Sequence, residues 1–213
     1  MTVLAIEDIK GIFASLKDMA AANKDYLIKL DGVMGDSDLG LTMNAVFSAA
    51  DAHVRVSEEG DLGKLLAQTG MVMAKAAPST MGTLIATGFM RGGKALRGTT
   101  EIGVSEYRDF WKDFVEGIME RGRSKPGEKT IVDALYPAYQ AIEQCLQDGG
   151  DLCEAAGKAA EAAEQGLENT KTMVAQHGRA AYFGDKSRDA QDPGATVGSL
   201  LLKTFSDYVA QNK

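Results

Sequence analysis

The chain has 213 residues, 45% of them hydrophobic and 25% charged, with a net charge of −7 at pH 7. Such a chain is long enough for one sizeable core, and its acidity excludes the basic footprint that a nucleic-acid surface needs. No apolar run reaches membrane-spanning length, and Met1-Thr-Val-Leu-Ala-Ile-Glu-Asp lacks the basic-then-apolar order of a signal peptide, so the expected location is cytoplasmic.

Helical periodicity runs through nearly every segment. Residues 6–22 place Ile9, Ile12, Phe13 and Leu16 on one face, 41–56 carry Met43, Val46 and Phe47, and 62–77 carry Leu65, Leu66, Met71 and Met73. The 81–96 segment is rich in Gly, Ala and Thr, which predicts close approach to its neighbours. Further helical patterns follow at about 105–120, 130–148, 151–168, 170–180 and 194–211. The Ala-rich run from Cys153 reads as a tightly packed helix, the ten methionines as core filler, and Cys145 and Cys153 as reduced, buried thiols. No alternating β-branched run is long enough for a sheet. Eight or so helices with short connections predict an all-α, antiparallel eight-helix barrel or bundle, one domain over 1–213. In such a bundle alternate loops share one end, so loops far apart in sequence can meet on one ligand.

Four loops have ligand-like chemistry. The first, Asp31-Gly-Val-Met-Gly-Asp36-Ser-Asp38-Leu-Gly40-Leu-Thr42, gathers three carboxylates within eight residues. Crowded acids repel unless a cation lies between them, and magnesium takes carboxylate oxygens while leaving positions for phosphate. A turn in which Asp38 merely caps the next helix is the competing reading. The EF-hand spacing does not fit.

The second loop, Pro78-Ser79-Thr80-Met81-Gly82-Thr83, offers hydroxyls and helix N-terminal N–H groups to an anion, or a plain helix cap by Ser79 or Thr80. It is no Walker loop, for the Gly-Lys-Ser/Thr ending is missing. The third, from Arg121 through Gly122 to Thr130 and Ile131, is a basic island that reads either as phosphate-balancing or as plain surface. Asp133 after it reads as a solvated helix-start acid. The fourth runs from Gly178-Arg179-Ala180 to Gln191-Asp192-Pro193-Gly194, where Asp192-Pro193 is a good helix start and Arg179 suits an anion or a base edge. His53 and His177 stand in no triad or ligand pair, and His177 reads as a helix-end histidine or, next to Gly178-Arg179, as a border of the site. No catalytic nucleophile or base emerges. Phosphoryl transfer, which relies on metal, positioning and charge, is compatible with that poverty.

In this order and spacing the loops resemble the L subunit family of dihydroxyacetone kinases, over nearly the whole chain. The resemblance rests on Gly35-Asp36-Ser37-Asp38-x-Gly40, Arg121-Gly122-Arg123-x-x-Pro126-Gly127-Glu128-Lys129-Thr130, Gly178-Arg179-Ala180 and Asp192-Pro193-Gly194-Ala195. It implies a helical barrel with the nucleotide site at one end. Asp31, Asp36 and Asp38 would hold two magnesium ions on the phosphates of ADP or ATP. Leu39, Gly40, Leu41 and Thr42, with Ser79, Thr80 and Met81, would lie along the phosphates. Gly122, Ile131, Arg179, Asp192, Pro193 and Gly194 would frame the nucleoside.

It further implies a separate K-type subunit carrying the ketose and, in one branch, a phosphohistidine M-type subunit that recharges bound ADP from phosphoenolpyruvate. The chain departs from the family pattern in three places. Leu39 stands where His or Cys is common, Met81 where serine is usual, and Asp189-Ala190 where Gly-His precedes the Gln-Asp-Pro-Gly turn. These departures motivate the competing expectation of a nucleotide-bound regulatory or adaptor protein with little transfer activity.

Overall fold

The computed structural model describes residues 3–212, so Met1, Thr2 and Lys213 of the expected 1–213 domain, and the first two residues of the segment read for a signal peptide, lie outside the described residues. Among the described residues nine α-helices alternate with short connections: α1 (Ile6–Ala22), α2 (Lys24–Asp31), α3 (Leu39–Val56), α4 (Leu62–Ala76), α5 (Thr80–Ala95), α6 (Val104–Gly122), α7 (Val132–Gln147), α8 (Leu152–Asn169) and α9 (Pro193–Asn212). Short 3₁₀ segments occupy Thr170–Thr172 and Arg179–Ser187. The extended backbone includes one isolated antiparallel bridge, between Leu4 and Ile102.

Eight of the helices close a ring. From α3 to α9 each helix packs on the next, α1 packs on α3, and α9 returns to α1, while α2 is a short continuation of α1 laid on α3. This is the expected eight-helix barrel, with α2 as an addition that the periodicity did not show. Leu27 is the only buried side chain on α2, so there is no apolar stripe to read.

The barrel is filled, not hollow. Phe89 stands with its ring centroid 5.4 Å from Phe13, 5.2 Å from Phe114 and 5.9 Å from Phe110, and Trp111 reaches Phe205 at 5.3 Å. Tilted and edge-on contacts at these separations suit the ring quadrupoles. Small residues let the walls close on this centre. A Cβ on Gly88 would lie 2.7 Å from the Phe114 ring, and one on Gly166 would lie 2.1 Å from the Asp133 carbonyl oxygen. The buried Ala155, Ala156, Ala159 and Ala163 of α8 serve the same end, as expected of the Ala-rich run.

Up-and-down order sorts the loops between two rims. At one rim Leu4 and Ile102 exchange backbone hydrogen bonds of 2.9 and 2.8 Å, and the Asp61 carboxylate accepts from Gly98 N at 2.9 Å. The other rim gathers 31–38, 77–79, 123–131 and 170–192. Two expectations are corrected, the first of them at this rim. Residues 170–180 form one 3₁₀ turn, irregular chain over 173–178 and the start of the second 3₁₀ segment, with Gly178 at φ +64° and the Thr170 hydroxyl turned back onto the Leu167 carbonyl. Cys145 is buried as expected, but Cys153 is only half-buried, and both are free thiols.

Candidate functional site

Three carboxylates converge at the second rim. Asp31 closes α2, Gly35 N donates to its carbonyl at 2.6 Å, and its Oδ2 accepts from Asp38 N at 3.0 Å and Leu39 N at 3.4 Å. The turn depends on glycine, since a Cβ on Gly35 would lie 2.0 Å from Asp31 Oδ1. Ser37 reverses the chain at φ +62°, a left-handed backbone that costs about 1–3 kcal/mol outside glycine and is kept where surroundings impose it. Asp31, Asp36 and Asp38 thereby each bring an oxygen within 4.8 Å of the others. Water lost around Asp38, and then the charges of Asp36 and Asp31, push its carboxyl above the ordinary value, against the pull of Arg179. Asp38 occupies the N-cap position of α3 without a side-chain capping bond, so the capping reading of this acid fails and the carboxylate stays free for a ligand.

Facing the acids is the start of α5. Ser79 is its N-cap, its Oγ accepting from Gly82 N at 3.0 Å and from Thr42 Oγ1 at 3.3 Å. The cap reading of that loop therefore holds, and the capped helix N-terminus borders the cleft, where an anion would be favoured. Across the opening, Arg179 Nη2 donates to Asp36 Oδ2 at 2.8 Å.

These parts line a cleft of about 660 Å³, a volume within the range of small-molecule sites. Of the expected residues, Asp31, Asp36, Asp38, Leu39, Ser79, Thr80, Met81, Gly122, Ile131, Arg179, Asp192, Pro193 and Gly194 line it. Gly40, Leu41 and Thr42 do not. Because α3 begins at Leu39, each later residue is rotated by about 100° about the helix axis. Gly40 is pressed against the Lys24 carbonyl and Leu41 faces outward, while Thr42 reaches the site only through Ser79. The apolar floor is closed where Met81 Cε and Ile131 approach Gly194.

Sequence reasoning missed several polar residues in and behind this lining, of which Lys129 and His177 also line the cleft. Asp133 is buried, its two oxygens accepting from Gly127 N at 2.6 Å and Thr130 N at 2.7 Å, so it shapes the 123–131 loop and is no solvated acid. His177 is not at a helix end. It lies in irregular chain, with Nε2 2.7 Å from Glu128 Oε2, and that bond, with Lys125 N, holds the Glu128 carboxyl below its usual range. Asp192 caps α9 as expected, accepting from Ala195 N at 2.7 Å, and burial raises its carboxyl to about 7. Lys129 is buried beside it. Lys129 and Glu128 fall inside the Pro126–Thr130 part of the third loop, but periodicity gives a loop residue no direction.

Fold and site together define an all-α barrel whose one rim carries an acidic, metal-competent turn opposite a helix N-terminus and an arginine. The chain belongs to the DAK2 domain family, whose model matches residues 33–207. It is 32% identical to the ADP-binding subunit DhaL of the PEP-dependent dihydroxyacetone kinase of Escherichia coli K12, covering 89% of this chain and 90% of that one. It is 31% identical to an L-erythrulose kinase of Pectobacterium atrosepticum, covering 89% of this chain but 32% of that protein. The dihydroxyacetone kinase of C. freundii shares the fold at a TM-score of 0.71 and 20% identity, over 93% of this chain and 34% of that one. A second structure of that kinase, in complex with AMP-PNP and Mg2+, matches at 0.69. No helix among the described residues is long and apolar enough to cross a membrane.

Proposed function

We propose that the chain is the nucleotide-binding, L-type subunit of a kinase acting on dihydroxyacetone or a similar small ketose, with its single domain spanning 1–213. The observation that carries this reading is the convergence of Asp31, Asp36 and Asp38 opposite the N-terminus of α5 in one cleft. Three hard carboxylate oxygens, with no Cys or His in the group among the described residues, are a magnesium donor set, and the turn is built so tightly around Asp31 that no side chain fits at Gly35. Magnesium bound there neutralises phosphate charge. Ser79, Thr80 and the α5 N-terminus receive phosphate oxygens, while Met81, Ile131 and Gly194 offer an apolar seat to the base. Arg179 supplies the positive charge at the mouth.

The nucleotide is ADP or ATP with two magnesium ions. The full-length likeness to ADP-binding subunits supports a relay in which a phosphohistidine M-type subunit recharges bound ADP and a K-type subunit presents the ketose. Likeness to the longer L-erythrulose kinase leaves a tetrulose as the other substrate of interest. The test is calorimetric titration of nucleotide-stripped protein with ADP and ATP, with and without magnesium, followed by transfer to a ketose in the presence of a cognate K-type subunit. Tight, magnesium-dependent ADP binding and transfer are expected. ADP binding without transfer would favour a regulatory or adaptor protein, the reading that Leu39 and Met81 motivate. No binding of either nucleotide would overturn both.

A further inference from the structure

Lys129 lines the cleft, yet the nucleotide reading gives its charge no task. It is 4% exposed, its backbone sits at φ +60°, and its ammonium donates to the Thr170 carbonyl at 2.5 Å and the Ala190 carbonyl at 2.7 Å. Burial lowers its pKa, while Asp192, Asp189 and Asp133 act to keep it charged. A buried ammonium rarely adds net stability over an apolar side chain of the same length, and a left-handed backbone is unfavourable for lysine. Two costs at one position point to a task other than filling space.

The two acceptors explain that task. Thr170 and Ala190 flank the long excursion that runs from α8 to α9 over the cleft, and Asp189 N meets the Lys171 carbonyl at 2.8 Å just inside them. Lys129 therefore closes the neck of a loop. Its neighbour Glu128 holds the same loop further out, through His177 at 2.7 Å and Gln176 N at 3.2 Å. The loop's inner face carries Arg179, and its exit leads directly into the Asp192-Pro193-Gly194 wall of the cleft.

We propose that Lys129 is a positioning residue for nucleotide binding, whose buried ammonium bolts the neck of the 171–189 loop so that Arg179 and the 192–194 turn face the acidic turn. The proposal rests on the nucleotide reading above. Lys129 lines the cleft, but its ammonium is committed to the Thr170 and Ala190 carbonyls, and it acts through them.

The experiment uses the full chain with Lys129→Met, which keeps length and loses charge, and Lys129→Ala, which leaves room for a small cation. In Lys129→Met, magnesium–ADP affinity is expected to fall about 10–100-fold, the range for residues that orient a site from behind. Amide hydrogen exchange is expected to rise across 171–189 and to stay unchanged in α4 and α5. Ethylammonium is expected to restore ADP affinity to Lys129→Ala, and ethanol at the same concentration to leave it weak. Wild-type affinity in Lys129→Met would overturn the proposal. So would a loss of affinity with exchange rising throughout the helices and no ethylammonium rescue, which is what general destabilisation produces. If the wild-type protein itself binds no ADP, the nucleotide reading falls, an outcome distinct from wild type and variant binding alike.

Discussion

Asp36 and Arg179 meet at 2.8 Å across the mouth of the cleft, joining the acidic turn to the loop between α8 and α9. Both side chains are largely exposed, so the pair itself adds little stability. Its importance is placement, for it sets a cation beside the carboxylates where a charged phosphate chain would enter.

Replacing Asp36 by Ala removes one of three converging carboxylates and frees Arg179. The loss expected for a charge-assisted contact is about 3 kcal/mol, or about 100-fold in magnesium-dependent ADP affinity. Calorimetry reads it, with a thermal midpoint close to wild type because Asp36 is exposed. Unchanged affinity and transfer in Asp36→Ala would remove this residue from the site.

Gly35→Ala tests the turn instead of the ligands. The added methyl would meet Asp31 Oδ1 at 2.0 Å, so the turn must open and Asp31 must move. Manganese binding followed by electron paramagnetic resonance is expected to weaken as in Asp36→Ala, though every carboxylate is still present. Wild-type manganese affinity would show that the turn tolerates the opening.

The helix arrangement was legible because it follows from local pattern. Ile9, Ile12, Phe13 and Leu16 mark α1 by spacing alone, and its observed bounds are those the periodicity predicts. The acidic turn was legible for a similar reason, since its three acids are neighbours in the chain. What stayed hidden depends on distant partners. The loop between α8 and α9 takes its path from Lys129, from Ser187 Oγ accepting from Ala175 N at 2.9 Å, and from Arg188 Nη1 donating to the Thr172 carbonyl at 2.6 Å. No window of sequence contains both ends of the Lys129 bonds. Asp133 was misread for another reason: its hydrogen-bond partners are local, but its burial comes from distant elements such as α8.

Asp192 makes stability depend on pH in a direction unusual for a carboxylate. Its folded value of about 7 lies above the ordinary 3.8, so between those limits the folded state holds the proton more firmly than the unfolded chain. Its contribution is therefore present at low pH and lost as pH rises toward 7, by ~1.4 kcal/mol for each pH unit crossed between the two values. Asp192→Asn keeps an acceptor for Ala195 N and cannot ionise. Relative to wild type it is expected to gain stability from pH 4 to pH 7.5, by at most a few kcal/mol. Urea unfolding at several pH values measures the difference, and a pH-independent difference would refute the raised value.

Gly166→Ala tests the closeness of α7 and α8 just behind the 123–131 loop. The new methyl would sit 2.1 Å from the Asp133 carbonyl oxygen and 3.0 Å from Pro137 Cγ, so the helices must part. Overpacking of this kind costs about 1–3 kcal/mol. A stability change below about 0.5 kcal/mol in urea unfolding, the range of neutral surface changes, would mean the pair slides apart freely.

The ring's parity also decides where the chain can be tethered. Leu4 is paired with Ile102 at the rim away from the cleft, and α9 runs from the cleft back toward that same rim, where the Tyr208 ring packs over Gly11 and its hydroxyl reaches Asp8. Both described ends of the chain thus emerge on the closed side of the barrel. A second protein joined at either end, by a peptide link or by genetic fusion, would hang from the back of the barrel and leave the nucleotide mouth free to meet another molecule face to face.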